Sequence, residues 1–170
     1  MLNKDIVKLI NHQINKEFFS AYLYLDMSNY YNAKGLTGFA NWMNVQAQEE
    51  RDHATLFITY LLNNDESVSL EAIDAPSGNY TDFKGPLTVS LEHEQYVTSL
   101  IHTIYGEAVK GNDFRTVQFL DWFVKEQGEE EKNIDDLIKR YDLFGSDSKG
   151  LYMLDAELAT RVYAAPSLVL

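Results

Sequence analysis

The sequence predicts an all-α fold, a four-helix bundle with one long crossover and a short fifth helix at its end. Three observations predict it. Four long stretches repeat apolar residues in steps of three and four without an internal proline. Two of the three breaks between them are short and marked by glycine, while the middle one runs for about twenty residues. Each long stretch also interrupts its own apolar stripe with glutamate near its middle. A chain of 170 residues suits one domain, read here as a bundle over 1–145 with the fifth helix and tail over 146–170.

The first helix is expected from about Lys4 to Ala33, with Asn3 as N-cap and Gly35 as stop. Its stripe is Ile6, Ile10, Gln13, Glu17, Ser20, Tyr24, Met27 and Tyr31. The second runs from about Leu36 to Asn64, with the stripe Phe39, Met43, Gln46, Glu50, His53, Phe57 and Tyr60. At 1.5 Å per residue each is about 40 Å long, and the turn at Lys34-Gly35 makes them an antiparallel hairpin. Asp65 to Gly85 holds Pro76, Gly78 and polar residues with little helical period. Extended, it spans about 65 Å, enough to return the chain to the far end of the bundle. Pro86 suits the first turn of a third helix that ends at Lys110, before Gly111. Its stripe reads Leu87, Leu91, Glu94, Thr98, Ile101, Tyr105 and Ala108. Asn112 or Asp113 caps a fourth helix reaching about Leu143, with the stripe Thr116, Leu120, Phe123, Gln127, Glu130, Ile134, Leu137 and Tyr141. A fifth helix is expected from about Leu151 to Tyr163, ended by Pro166. The apolar tail after it is expected to pack on another subunit.

Composition removes several classes of function. There is no cysteine, so disulfides, thiolate metal sites and cysteine nucleophiles are excluded together. Net charge is −12 with no basic run, which leaves no face for nucleic acid phosphates and suits cations. No apolar run approaches the length of a membrane span. The start, Met-Leu-Asn-Lys-Asp-Ile, lacks the apolar core of a signal peptide, and a cytoplasmic location is expected.

The interruptions carry the chemistry. Glu50 and His53 lie three apart and share a helix face. On the surface such a pair means little, but this one sits in the apolar seam, where an unpaired charge costs several kcal/mol, on the order set by effective ion burial. Glu17 lies 17 residues before the first turn at residue 34 and Glu50 lies 16 after it; Glu94 and Glu130 each lie 18 from the second turn at residue 112. In antiparallel hairpins the members of each pair face one another. Glu17, Glu50, His53, Glu94, Gln127 and Glu130 therefore share one interior layer. A lone glutamate is usually solvated, but chance surface placement does not explain four helices breaking pattern at matched depth. Four carboxylates with no basic residue on the stripes repel one another until some protonate. Two divalent cations would neutralise them, and oxygen and imidazole donors without thiolate suit iron or manganese and tolerate zinc.

With that set of residues the chain resembles the ferritin family, specifically its prokaryotic non-haem branch, over essentially its whole length. The resemblance implies a ferroxidase centre in which Glu17 and His53 hold one iron, Glu50 bridges, Glu94 and Glu130 hold the second, and Gln127 sits beside them. It further implies a third iron site at Glu49, Glu126 and Glu129, with Glu130 shared, and gives Tyr24 the role of electron donor next to the pair. Read from charge alone, Glu49 and the acidic run from Glu126 would be a solvated face. The implied activity is oxidation of Fe(II) by dioxygen or hydrogen peroxide and storage of Fe(III) as hydrated ferric oxide. The storage vessel would be a hollow homo-oligomeric shell of about 24 subunits. No membrane or nucleic acid partner is implied.

Departures sharpen the resemblance. Bacterioferritins carry a second Glu-x-x-His on helix four, where this chain has Gln127 to Glu130, and their haem-ligating methionine falls at Asp52, so no haem is expected. Acids that line the threefold channel in animal ferritins correspond to Val117 and Leu120, near Asp121. His12, His93 and His102 have no assigned role and are expected at the surface or at interfaces. Two rival readings stay open. A di-iron oxidase or oxygenase of an organic substrate would need an apolar pocket beside the metals. A metal-binding bundle without turnover would bind ions and oxidise none.

Overall fold

Helix starts and stops follow from local chemistry. A computed structural model describes residues 2–170, and its elements are α1 (Lys4–Ala33), α2 (Thr37–Asn63), α3 (Gly85–Lys110), α4 (Phe114–Phe144) and α5 (Ser148–Leu158). The Asn3 side chain accepts from the Asp5 amide, and Gly35 turns the chain out at φ +80°, a backbone region that glycine enters without steric cost. Pro86 occupies the first turn of α3. Of the two residues expected to cap α4 it is Asp113 that does so, accepting from the Thr116 amide, while Asn112 takes φ +54° in the turn before it.

α1 pairs with α2 and α3 with α4, and the crossover between Asn63 and Gly85 has no regular structure. It lies along α1, held by side chains. Asn11 Nδ2 donates to the Ser67 carbonyl and Asn11 Oδ1 accepts from the Ser69 amide. Asn15 donates to the Ala72 carbonyl, and Tyr80 donates to Asp26. Among the described residues no helix is long and apolar enough to cross a membrane.

The expected stripes of α1 and α2 are buried at every position. On α4 only Tyr141 is partly exposed. On α3 the buried face is rotated from the expected one: Leu91, Thr98 and Tyr105 lie at its edge, and Ser90, His93, Val97 and Ile104 lie inside. Steps of four and steps of three drift apart along a helix with 3.6 residues per turn, so the choice of step decides the face.

Buried apolar side chains form two clusters. One, built around Ile10, Phe57, Ile101 and Phe123, fills one end of the bundle. The other, built around Met27, Phe39, Leu87 and Ile134, fills the opposite end and takes in Leu154 and Leu158 of α5. A layer of polar side chains lies between them in every helix.

The end of the chain differs from expectation. α5 begins at Ser148, because the Asp147 side chain caps the Gly150 amide, and it ends at Leu158 rather than Tyr163. Arg161 is drawn off the helix to the side of α2, where it bonds Glu49 and Gln46. The tail also runs along its own bundle: Tyr163 donates to Asp52, Ser167 accepts from the Trp122 indole, and Leu168 packs on the first cluster. Leu120, expected near a channel, is fully buried in that cluster.

Candidate metal centre

The polar layer consists of Glu17 on α1, Glu50 and His53 on α2, Glu94 on α3, and Gln127 and Glu130 on α4, all buried. Each helix contributes because its apolar stripe passes through the layer at mid-length. Two glutamines one turn upstream steady the carboxylates of the first hairpin. Gln13 Nε2 donates to Glu17 Oε1 at 2.8 Å, and Gln46 Nε2 donates to Glu50 Oε1 at 3.0 Å. The stripes contained both glutamines; their i,i+4 spacing to a buried glutamate was the available signal for this role.

Glu17, Glu50 and His53 each present a ligand atom within 4.8 Å of the other two. A second triad, His53, Glu126 and Glu130, meets the same limit on the outer side of His53. Glu94 is turned to other partners. It accepts from the Tyr24 hydroxyl and, at 3.2 Å, from Gln127 Nε2, which also reaches Thr98. Glu49 lies beside the layer but is paired with Arg161 at 2.5 Å, and Glu129 is exposed and paired with Lys125 at 3.2 Å. Both line a cavity of about 280 Å³ that opens onto His53, Glu126 and Glu130.

The layer is electrostatically unbalanced. Burial and the neighbouring Glu50 charge push both Glu17 and Glu130 up to about 8. Burial, with Glu50 and Glu130 close by, holds Glu94 well above the carboxylate range. Burial acts the same way on Glu50, but His53 and Gln46 outweigh it and Glu50 stays below its ordinary value. Burial opposes the charge on His53, but the surrounding glutamates push it up to about 10. Glu50 and His53 therefore act as an ion pair, and the other three carboxyls hold protons near neutral pH.

Several ligand atoms have nothing to bond. Glu17 Oε2, Glu130 Oε2 and His53 Nδ1 are buried without a hydrogen-bond partner. His53 Nδ1 comes within 3.3 Å of Glu50 Oε2, but not in line for a hydrogen bond. Orphaned buried acceptors are costly and few in folded proteins. Oxygen and nitrogen atoms gathered in two triads around His53, their charge balanced only by displaceable protons, fit divalent cations of borderline hardness.

His93, expected at the surface or at an interface, is buried within the chain. Its Nε2 is hydrogen-bonded to Ser20 Oγ at 2.7 Å, in a direction set by the imidazole tautomer, and the same hydroxyl lies 3.0 Å from the Lys16 carbonyl. Burial lowers its affinity for a proton. Its position next to Glu94, one step off the expected stripe, was the available sign. His12 and His102 are exposed.

A family profile described as Ferritin-like domain matches residues 7–144. The chain belongs to the ferritin family. A probable bacterial non-heme ferritin-like protein of Haemophilus influenzae is 37% identical over 158 residues, which cover 93% of this chain and 96% of the relative. A bacterial non-heme ferritin of Campylobacter jejuni is 38% identical over 155 residues, 91% of this chain and 93% of its own. Among solved structures, a closed form of Archaeoglobus fulgidus ferritin engineered by site-directed mutagenesis superposes with a TM-score of 0.94 at 38% identity, over 96% of this chain and 100% of that one. The ferritin fold expected from the stripes is thus the fold of this chain.

Proposed function

We propose that this ferritin stores iron and oxidises Fe(II) at the buried layer. The observation that carries this reading is the set of orphaned ligand atoms on Glu17, His53 and Glu130, buried at the centre of a ferritin bundle. Glu17 and His53 hold one Fe(II), Glu94 and Glu130 the other, and Glu50 lies between them. Four carboxylates balance the charge of two divalent ions, so two entering Fe(II) displace four protons, those on Glu17, Glu94, Glu130 and the His53 imidazolium. Glu94 must turn from Gln127 to the metal, and Gln127 keeps Thr98 as a partner. Each Fe(II) gives up one electron, and dioxygen takes both with two protons to become hydrogen peroxide. Peroxide serves as oxidant in the same way and is reduced to water. Carboxylate oxygen favours the harder Fe(III) product. Tyr24, hydrogen-bonded to Glu94, and an Fe(II) at the outer site are in this reading the source of the two further electrons that, with two protons, reduce the peroxide to water. Fe(III) then moves on as hydrated ferric oxide into a closed shell of about 24 copies of the chain, with Glu49, Glu126 and Glu129 beside Glu130 as an outer stopping place.

The cavity that borders the layer also bears on the choice among activities. Four glutamates line it, so it offers little to an apolar substrate of an oxygenase. The larger apolar groove around Phe18, Tyr22 and Leu25 lies on the outer side of α1 and α2 and includes none of the layer residues.

The test adds several hundred Fe(II) per assembly in air, followed by a sizing column. Soluble ferric oxide co-eluting with a particle many times the mass of the 19.5 kDa chain is the expected result. Oxidation that stops at two or three irons per chain, with the excess precipitating, would replace storage with a smaller enzyme or a binder. His53→Ala should slow the fast oxidation about tenfold or more, since even outer partners of metal ligands act on that scale, and leave the particle assembled.

A further inference from the structure

The cavity over His53, Glu126 and Glu130 is roofed by the chain's own C-terminal segment, and one corner of it already holds a cation. Arg161 donates to Glu49 Oε2 at 2.5 Å, to Gln46 Oε1 at 2.9 Å and to the Trp42 carbonyl at 3.3 Å, with its guanidinium 4.2 Å above the Trp42 ring. A guanidinium does not lose its proton in a protein, so this is a fixed positive charge. We propose that Arg161 is a tethered cation that occupies the Glu49 corner of the outer metal site and is exchanged for a divalent transition-metal ion. The inference rests on the metal reading above and deepens it.

Three observations support exchange rather than a permanent ion pair. The outer triad is complete without Glu49, since His53, Glu126 and Glu130 already converge within 4.8 Å, and the buried Glu130 Oε2 has no hydrogen-bond partner. An ion held there would face the guanidinium across the same small cavity, and Glu49 cannot serve both cations at full strength. Arg161 also has somewhere to go. It stands between this cavity and a neighbouring cleft of about 400 Å³, lined by Arg140 and by Asp136, which is already paired with Lys132, so the cleft offers room and not a waiting anion. The backbone need not move, because it is pinned on both sides. Asn41 Nδ2 holds the Arg161 carbonyl at 3.0 Å, Tyr163 donates to Asp52 at 2.5 Å, and Trp122 donates to Ser167 at 3.0 Å. The moving part is therefore the side chain. While it sits on Glu49 an outer ion has only the triad and faces a fixed positive charge, so the site is weak until the guanidinium swings away and frees Glu49. Arg161 thereby sets how firmly iron is held outside the pair.

The test uses Zn(II), which takes the same donors without redox chemistry, titrated calorimetrically into the assembled metal-free protein. The wild type should bind ions at the inner pair and one more, weaker, outside. Arg161→Gln should tighten the outer ion about tenfold or more, with the inner pair unchanged within about twofold. Arg161→Lys, which keeps the charge and loses the fork, should fall between them. In a Trp122→Phe background, which loses the Ser167 contact but keeps the Asn41 and Tyr163 bonds on either side of the Arg161 side chain, Trp42 emission should change as the outer ion binds and the guanidinium leaves the indole. An outer affinity in Arg161→Gln that is unchanged or weaker, with a folded and assembled variant, overturns the exchange and leaves Arg161 as a tail anchor. Trp42 emission that stays constant through outer loading also overturns it. A wild type that takes up no Zn(II) at the inner pair overturns the metal-centre reading and this inference together.

Discussion

At the scale of residues, the centre is a set of acids that cannot all ionise, and its response to pH follows. Glu17 and Glu130 are raised from 4.5 to about 8, so the stability they contribute is full below pH 4.5 and is lost as pH rises through 8. His53 is raised from 6.5 to about 10, so its contribution is full below 6.5 and fades as pH rises through 10. Glu50, held low, contributes above 4.5 and loses its contribution only on acidification. Between pH about 6 and about 9 the metal-free protein should therefore become less stable, whereas the Zn(II)-loaded protein, its protons already displaced, should change little. Urea unfolding at both pH values, with and without metal, checks this through the widening gap between the two midpoints.

At the scale of elements, the contact between α5 and α2 carries an unusual load. Leu36 offers no side-chain cap to α2; Asp155 on α5 does so from across the fold, accepting from the Gly38 and Phe39 amides at 2.8 and 2.9 Å. The approach is so close that a Cβ at position 38 would overlap the Asp155 carbonyl. Asp155→Ala should cost about 1–2 kcal/mol, the scale of a lost N-cap. Gly38→Ala should push α5 off the bundle, and urea unfolding measures both. Such caps from a distance mark where sequence reading ends. Four helices, their depth relation and six layer residues were legible because each is a local pattern with a 3.6-residue period. Where α5 stops was not, because Arg161 leaves the helix for partners 112 and 115 residues away. The tilt of α3 was lost for a different reason: Leu91 and Ser90, or Thr98 and Val97, satisfy the same pattern one step apart, and only packing chooses.

At the scale of the whole molecule, apolar surface remains that the chain does not cover. Tyr152 and Met153 on α5 are 74% and 62% exposed, and Val162 in the segment after it is 81% exposed. In the proposed shell these side chains are expected to meet neighbouring copies. A Tyr152→Glu, Met153→Glu double variant should elute as smaller species with unchanged helix content, measured by sizing and circular dichroism. The tail, by contrast, spends part of its apolar surface on its own bundle, and Leu168 is the clearest case.

The polar layer that divides the core in two has a consequence for motion. Apolar packing does not run continuously from one end of the bundle to the other, so each end should open as a cooperative unit of its own in the metal-free chain. Amide hydrogens around Ile10 and Ile101 should exchange on a different schedule from those around Met27 and Phe39. Ions that take ligands from all four helices join the two units at their boundary. On the proposed reading it is the pair of ions, with Glu17, Glu50 and His53 on one side and Glu94 and Glu130 on the other, that fastens the vessel, and slow exchange should spread through both ends once both ions are bound.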